Sequence, residues 1–317
     1  GGRRGGDEGA QSLLVVDDAL SEEAQVEIRD GVRIEPETGT AAKGAKFDME
    51  LLQAGTTFDL RFELLIPKDQ TEELKPALAR ALQGFERGEI ALGARKRRGF
   101  GRCKVTEWNV VTYDLTTVEG LRAWLDQDET SVPSGSDIAK MLGVEVEGDD
   151  SRRHFTMDLT CWLDGSLLVR AAAQAGSDTG HLHAVNTAGE RVPVLPSTSL
   201  AGVLRHRALR IANTLSPLGD GSALVETMFG SSPQEGEERQ PTASRVWVRE
   251  TKITGGRSLV QSRVKIDRFT GGAYPTALFS EEPLFGGPDS RIKVHVTLRS
   301  PRRHEVGLLL LLLKDLW

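Results

Sequence analysis

Residues 93–102 read GARKRRGFGR, five cationic side chains and three glycines around one aromatic. Gly93, Gly99 and Gly101 admit positive φ and close backbone approach, so peptide N–H groups there can face an anion. Arg95, Lys96, Arg97, Arg98 and Arg102 add point charges and planar forks that match phosphate oxygens. The mixture predicts a phosphate clamp, with Phe100 stacking on a base or packing on a sheet; a solvated basic loop is the competing reading. In 196-PSTSLAGVLRHRALRIANTL-215, the turn holding Ser197, Thr198 and Ser199 opens a helix whose first N–H groups suit a phosphate. Arg205, His206, Arg207 and Arg210 follow on that helix, whose charged side would otherwise read as a wet face. Between 245 and 268, Arg245, Arg249, Lys252, Arg257, Arg263, Lys265 and Arg268 face only Glu250 and Asp267. The whole chain carries 46 acidic and 40 basic side chains, a net charge of −6. Three basic patches in an acidic chain predict a local groove for a polyanion rather than diffuse stickiness.

Other chemistries find little support. No G-x-x-x-x-G-K-[ST] loop, H-E-x-x-H helix, Cys/His cluster or G-x-S-x-G elbow occurs, which argues against an NTPase, a zinc protease and an α/β-hydrolase. Cys103 and Cys161 are too few for a disulfide framework or a thiolate zinc site, so no zinc is expected. The acidic pairs Asp17-Asp18 and Glu281-Glu282 read as solvated strand and turn ends. The apolar run Leu308–Leu313 is far shorter than the roughly 20 residues a membrane helix needs, and no secretion signal opens the chain. The expectation is a soluble cytoplasmic protein without a membrane partner.

The elements that must position these residues repeat. Residues 12–50 align without a gap on 244–282: Ser12 meets Ser244, Val16 meets Val248, Val32 and Ile34 meet Val264 and Ile266, Thr38 and Gly39 meet Thr270 and Gly271, and Phe47 meets Phe279. With 317 residues and one offset, the chain reads as two copies of one domain type. The offset predicts a fragment, in which the first copy lacks its opening strand and helix and the second stops before its own basic turn. Residues 113–151, acidic with a PSGS turn and a helix at 117–125, read as a linker. Strands are predicted at 12–17, 57–65, 104–112, 154–163, 244–250 and 291–298. Helices are predicted at 71–89, 199–215 and 305–317, with Ser197 or Thr198 as N-cap of the second. The order favours an α+β, ferredoxin-like sheet with helices on one face, over a parallel α/β domain.

The motifs VLPSTSLAGVLRHRALRIA, MFG at 228–230, SRVWVRE, KIDRFTGGAYPTALF at 265–279 and GARKRRGFGR together resemble the RAMP superfamily of CRISPR effector proteins, in particular type III backbone subunits. The resemblance implies tandem ferredoxin-like (RRM-like) RAMP domains with protruding β-hairpin thumbs at 29–47 and 261–279. Residues 1–112 would be the C-terminal part of a first RAMP domain and 152–317 the N-terminal part of a second. The palm would bind a CRISPR guide RNA, the thumbs would meet the guide–target duplex, and other type III subunits would be partners. Ser197 stands where such sequences carry glycine and Ala201 where they carry lysine, which leaves Arg205 as the principal side-chain contact there.

The resemblance also implies target cleavage by an aspartate in the loop 174–193, where Asp178 is the nearest carboxylate. It would position Mg²⁺ or the attacking 2′-hydroxyl, with His181 or His183 moving a proton. Asp and His in a Gly/Ser-rich loop are also ordinary turn residues, so catalysis stays open. The alternatives are a CRISPR transcript-processing endoribonuclease using His206 as base, and a non-catalytic single-stranded RNA-binding protein. With aromatics at 5%, stacking-driven binding is disfavoured.

Overall fold

The computed structural model describes residues 11–35, 38–127, 132–146, 152–172, 177–216, 220–231 and 240–315. It forms two compact units, one of residues 1–20, 59–96 and 100–151, the other of residues 21–58, 97–99 and 152–317.

The larger unit is built on the strand Arg291–Arg299. His154–Cys161 pairs with it along its full length on one side, from His154↔Arg299 to Cys161↔Ile292. On the other side lie Val246–Val248 and Thr251–Thr254, followed outward by Arg191–Leu195 and His183–Val185, all antiparallel. Side chains alternate across a pleat, so Ile292, Val294, Val296 and Leu298 enter the core while Lys293, His295 and Thr297 take the other face. Three helices cover the apolar face: Ser197–Leu215 through Leu200, Leu204, Ala208 and Ala212, Ser222–Phe229 through Val225, Met228 and Phe229, and Arg303–Lys314 through Leu308, Leu309, Leu312 and Leu313. Taken in chain order, His154–Cys161, Ser197–Leu215, Val246–Val248, Arg291–Arg299 and Arg303–Lys314 give strand, helix, strand, strand, helix, with the third strand between the first two. That is a ferredoxin-like arrangement of an antiparallel sheet with helices on one face, the α+β expectation rather than the parallel one.

The smaller unit pairs Leu14–Val16 with Phe62–Leu64 and packs the helix Thr71–Glu86 around Leu82, Phe85, Trp108 and Ile138. The strand predicted at 104–112 shrinks to Trp108–Asn109, because a strand needs a partner and among the described residues only Ser134–Gly135 supplies one. Trp108 instead buries its ring and donates Nε1–H to Glu86 at 2.7 Å. The stretch read as a linker is largely structured where described. Val118–Asp126 is capped by Thr117, and Ile138–Leu142 is capped by Asp137 and sends Ile138 into the core. The helix predicted over 305–317 runs over Arg303–Lys314, and residues 316–317 lie outside the described residues.

The repeat extends to backbone pairing. In the first hairpin, Val26–Ile34 with Ala41–Leu52, Arg29 faces Met49, Val32 faces Lys46, and a bulge precedes Ile34↔Ala41. In the second, Gln261–Ile266 with Ala273–Glu282, Gln261 faces Glu281, Val264 faces Leu278, and the bulge precedes Ile266↔Ala273. The tips match as well: Glu35 N–H reaches Thr40 O and Asp267 N–H reaches Gly272 O, both at 2.9 Å, and Gly39 and Gly271 both have φ of 67°. Leu14↔Leu64 likewise answers Val246↔Leu298.

Candidate nucleic-acid interface

The basic turn is closed by the pairing Ala91↔Arg102 and by Leu92 N–H donating to Gly101 O at 2.8 Å. Gly101 has φ of 69°, and a Cβ there would stand 1.7 Å from Leu92 O, so glycine is obligatory. Lys96–Arg98 make one 3₁₀ turn, with Arg95 held at φ of 52° before it. Arg95, Lys96 and Arg102 are exposed, and Arg97 and Arg98 are half-buried.

The segment 97–99 meets the start of the long helix. Pro196, in extended conformation, is its N-cap, not Ser197 or Thr198. Ser197 is one residue too far along and is completely buried, and its hydroxyl donates to the carbonyl of Arg98 instead. Gly99, at φ of 81°, lies against the residues that follow the strand Val246–Val248, and a Cβ would be 3.2 Å from Arg249 Cα and 3.3 Å from Glu250 N. Two features predicted separately to hold phosphate are therefore adjacent: Arg98, flanked in the chain by Arg97 and Gly99, beside the first turn of Ser197, Thr198 and Ser199. Ser197 contributes through its fastening role, while Thr198 and Ser199 are half-buried with first-turn N–H groups. Arg205 points elsewhere. Its Nη1 donates to Gly230 O at 2.7 Å, tying the long helix to the end of the next one.

Asp178 lies at the root of the second hairpin. Its N–H donates to Ser280 O at 3.1 Å, and its Oδ2 accepts from Ser280 N–H at 2.7 Å and Ser280 Oγ–H at 3.1 Å. The carboxylate is exposed, and Oδ1 has no hydrogen-bond partner among the described residues. His181 is core. It is 4% exposed, its Nδ1 accepts from Val169 N–H at 3.2 Å, and its Nε2 donates to Val194 O at 3.1 Å. Burial lowers its pKa to about 4, which keeps the ring neutral. With both nitrogens committed to backbone, His181 has none for proton transfer. His183 is half-buried, its Nδ1 bonded to His181 O at 2.8 Å. Residues 174–176 of this loop lie outside the described residues.

Along the second hairpin, Lys265 and Arg268 are exposed, and Lys265 Nζ stands 4.6 Å from the centre of the Tyr274 ring. Arg263 is engaged: its Nε donates to Glu281 at 2.8 Å. Glu281, read from sequence as a solvated turn end, is 6% exposed and is also held by Arg170 at 2.7 Å. The first hairpin has its own ionic seat. Arg29, 7% exposed, bonds Glu27 and Glu250, and Glu27 accepts from Val185 N–H at 3.2 Å. Burial works against the Arg29 charge, but the hydrogen bonds and charges of Glu250 and Glu27 outweigh it and raise its pKa. Arg29 and Arg170 were not singled out by sequence, Glu281 was read there as solvated and Glu250 only as a counter-charge, because the ionic partners of these residues are remote in the chain.

No group of three or more His, Cys, Asp or Glu among the described residues is placed to hold a metal ion. Asp178 is a single carboxylate with one oxygen engaged, which does not amount to a Mg²⁺ ligand set among the described residues.

A family model of the RAMP superfamily matches residues 2–104 and 143–317. The chain belongs to the RAMP superfamily. The match omits 105–142, within which most of the predicted linker lies. No curated protein matches the chain. Membership carries the ferredoxin-like build seen in the larger unit, and a CRISPR-associated, RNA-binding role. Among the described residues no helix is long and apolar enough to cross a membrane.

Proposed function

We propose that this RAMP protein is a backbone subunit of a type III CRISPR effector, with tandem ferredoxin-like domains that hold a guide RNA and thumbs that meet its duplex with target RNA. The observation that carries the reading is the shared register, bulge and tip of the two hairpins. One extended shape presented twice suits a ligand with a repeating backbone, and a guide–target duplex is such a ligand. The clamp of Arg97, Arg98 and Gly99 beside the first turn of the long helix would hold guide phosphates, with Arg95, Lys96, Arg102, Lys265 and Arg268 adding exposed charge. The other effector subunits would complete the assembly.

Target cleavage belongs to the proposal through Asp178. Its Oδ1 would accept the proton of a target 2′-hydroxyl as that oxygen bonds to the adjacent phosphorus and the P–O5′ bond breaks, the leaving O5′ taking a proton from water, to give a 2′,3′-cyclic phosphate and a 5′-hydroxyl end. Ser280 fixes the other carboxylate oxygen and so the aim of the first. The test is cleavage of labelled RNA complementary to the bound guide by the assembled effector, wild type against Asp178→Ala. The reading expects cuts at one fixed position to disappear while target binding persists. An unchanged cutting pattern removes Asp178 from the chemistry and leaves a non-catalytic RNA holder.

A further inference from the structure

The second hairpin belongs to a four-stranded sheet, in the order Gln261–Ile266, Ala273–Glu282, Thr179–His181 and Arg170–Ala172. Glu281 and Ser280 are neighbours in one strand, so their side chains leave opposite faces. The Asp178 carboxylate bonds the Ser280 hydroxyl and lies on that side. Glu281 lies on the other, where Arg170 from one edge and Arg263 from the other converge on it. The Glu281 side chain is 8% exposed, whereas those of Arg170 and Arg263 are 68% and 52% exposed. A carboxylate sealed beneath two guanidiniums satisfies part of their donors and leaves the outer edges in solvent with a net positive charge.

We infer that Arg170 and Arg263 form a phosphodiester-binding track on the hairpin face opposite Asp178, with Glu281 as the positioning residue that orients the two arginines. The track rests on the RNA-binding reading above and adds to it a residue, Arg170, and a division of labour. One face of the hairpin takes RNA backbone charge, and the other carries the candidate carboxylate. Arginine forks held in place in advance lose little freedom on meeting a phosphate, which favours this use over a loose surface cation.

The experiment measures anisotropy of a labelled single-stranded RNA with the full chain over a series of salt concentrations, for wild type, Arg170→Ala, Arg170→Lys and Glu281→Gln. Each phosphate contact on a single strand contributes about 0.7 to the slope of log affinity against log salt. Arg170→Ala is expected to bind roughly three- to tenfold more weakly, with the slope reduced by about 0.7. Arg170→Lys restores the slope. Glu281→Gln removes the negative charge while its amide oxygen still accepts from a guanidinium, and gives affinity at or above wild type with a steeper slope. Should Arg170→Ala keep the wild-type slope, or Glu281→Gln weaken binding at an unchanged slope, the cluster merely fastens the hairpin and the track is wrong. A wild type that binds no RNA overturns the RNA reading and the track together, whereas binding without a slope change overturns the track alone.

Discussion

Gly93 and Gly101 both have positive φ in the basic turn, yet only Gly101 is crowded. Gly101→Ala must displace Leu92 as well as strain the backbone, while Gly93→Ala meets nothing within 4 Å. The expected cost of Gly93→Ala is about 1 kcal/mol, with Gly101→Ala clearly larger, as read by thermal melting of the two variants. His181 makes a different prediction. Its folded pKa of about 4 lies below the ordinary 6.5, so between those values the unfolded chain takes up a proton that the folded chain refuses. Stability therefore falls as pH drops through that window, by up to about 3 kcal/mol. Urea unfolding from pH 7 to pH 4 should show the fall, and His181→Gln should flatten it. Neither the burial of His181 nor that of Glu281 was legible in the sequence. A histidine in a Gly/Ser-rich loop carries no periodic signal, and its partners Val169 and Val194 are set by strand placement.

At the scale of elements, periodicity worked where contacts are local. Leu74, Leu78, Leu82 and Phe85 marked the first helix, and Leu200, Leu204, Ala208 and Ile211 marked the long one, within a few residues of Thr71–Glu86 and Ser197–Leu215. It failed at 104–112, where the apolar alternation is real but a partner exists over two residues only. The repeat was legible as an alignment, and the hairpin registers follow it because the same bulge and tip chemistry recur. What the alignment could not carry is the seat of the first hairpin on Glu250. There Arg29→Ala leaves Glu250 and Glu27 without their shared cation, and removing one partner of a buried pair costs about 3–5 kcal/mol. Denaturant unfolding should show a loss of that order, accompanied by faster hydrogen exchange in 26–52. A loss under 0.5 kcal/mol would mean the seat does not hold the hairpin.

Across the whole molecule, a net charge of −6 coexists with a basic turn, a helix start and a cationic hairpin. Charge placed locally, within about a Debye length of its ligand, acts on that ligand more strongly than the distant carboxylates do. This is why overall acidity does not argue against RNA. The proposed hold on guide phosphates rests on Arg97 and Arg98, the second of which is fastened to the first turn of the long helix through Ser197. Its most direct test is the affinity of the full chain for a labelled guide-type RNA at several salt concentrations, wild type against Arg97→Glu/Arg98→Glu, with thermal melting to confirm folding. The account predicts at least a tenfold loss of affinity, with a salt slope shallower by about 1.4 for two lost contacts. A folded double variant with wild-type affinity and slope would contradict it.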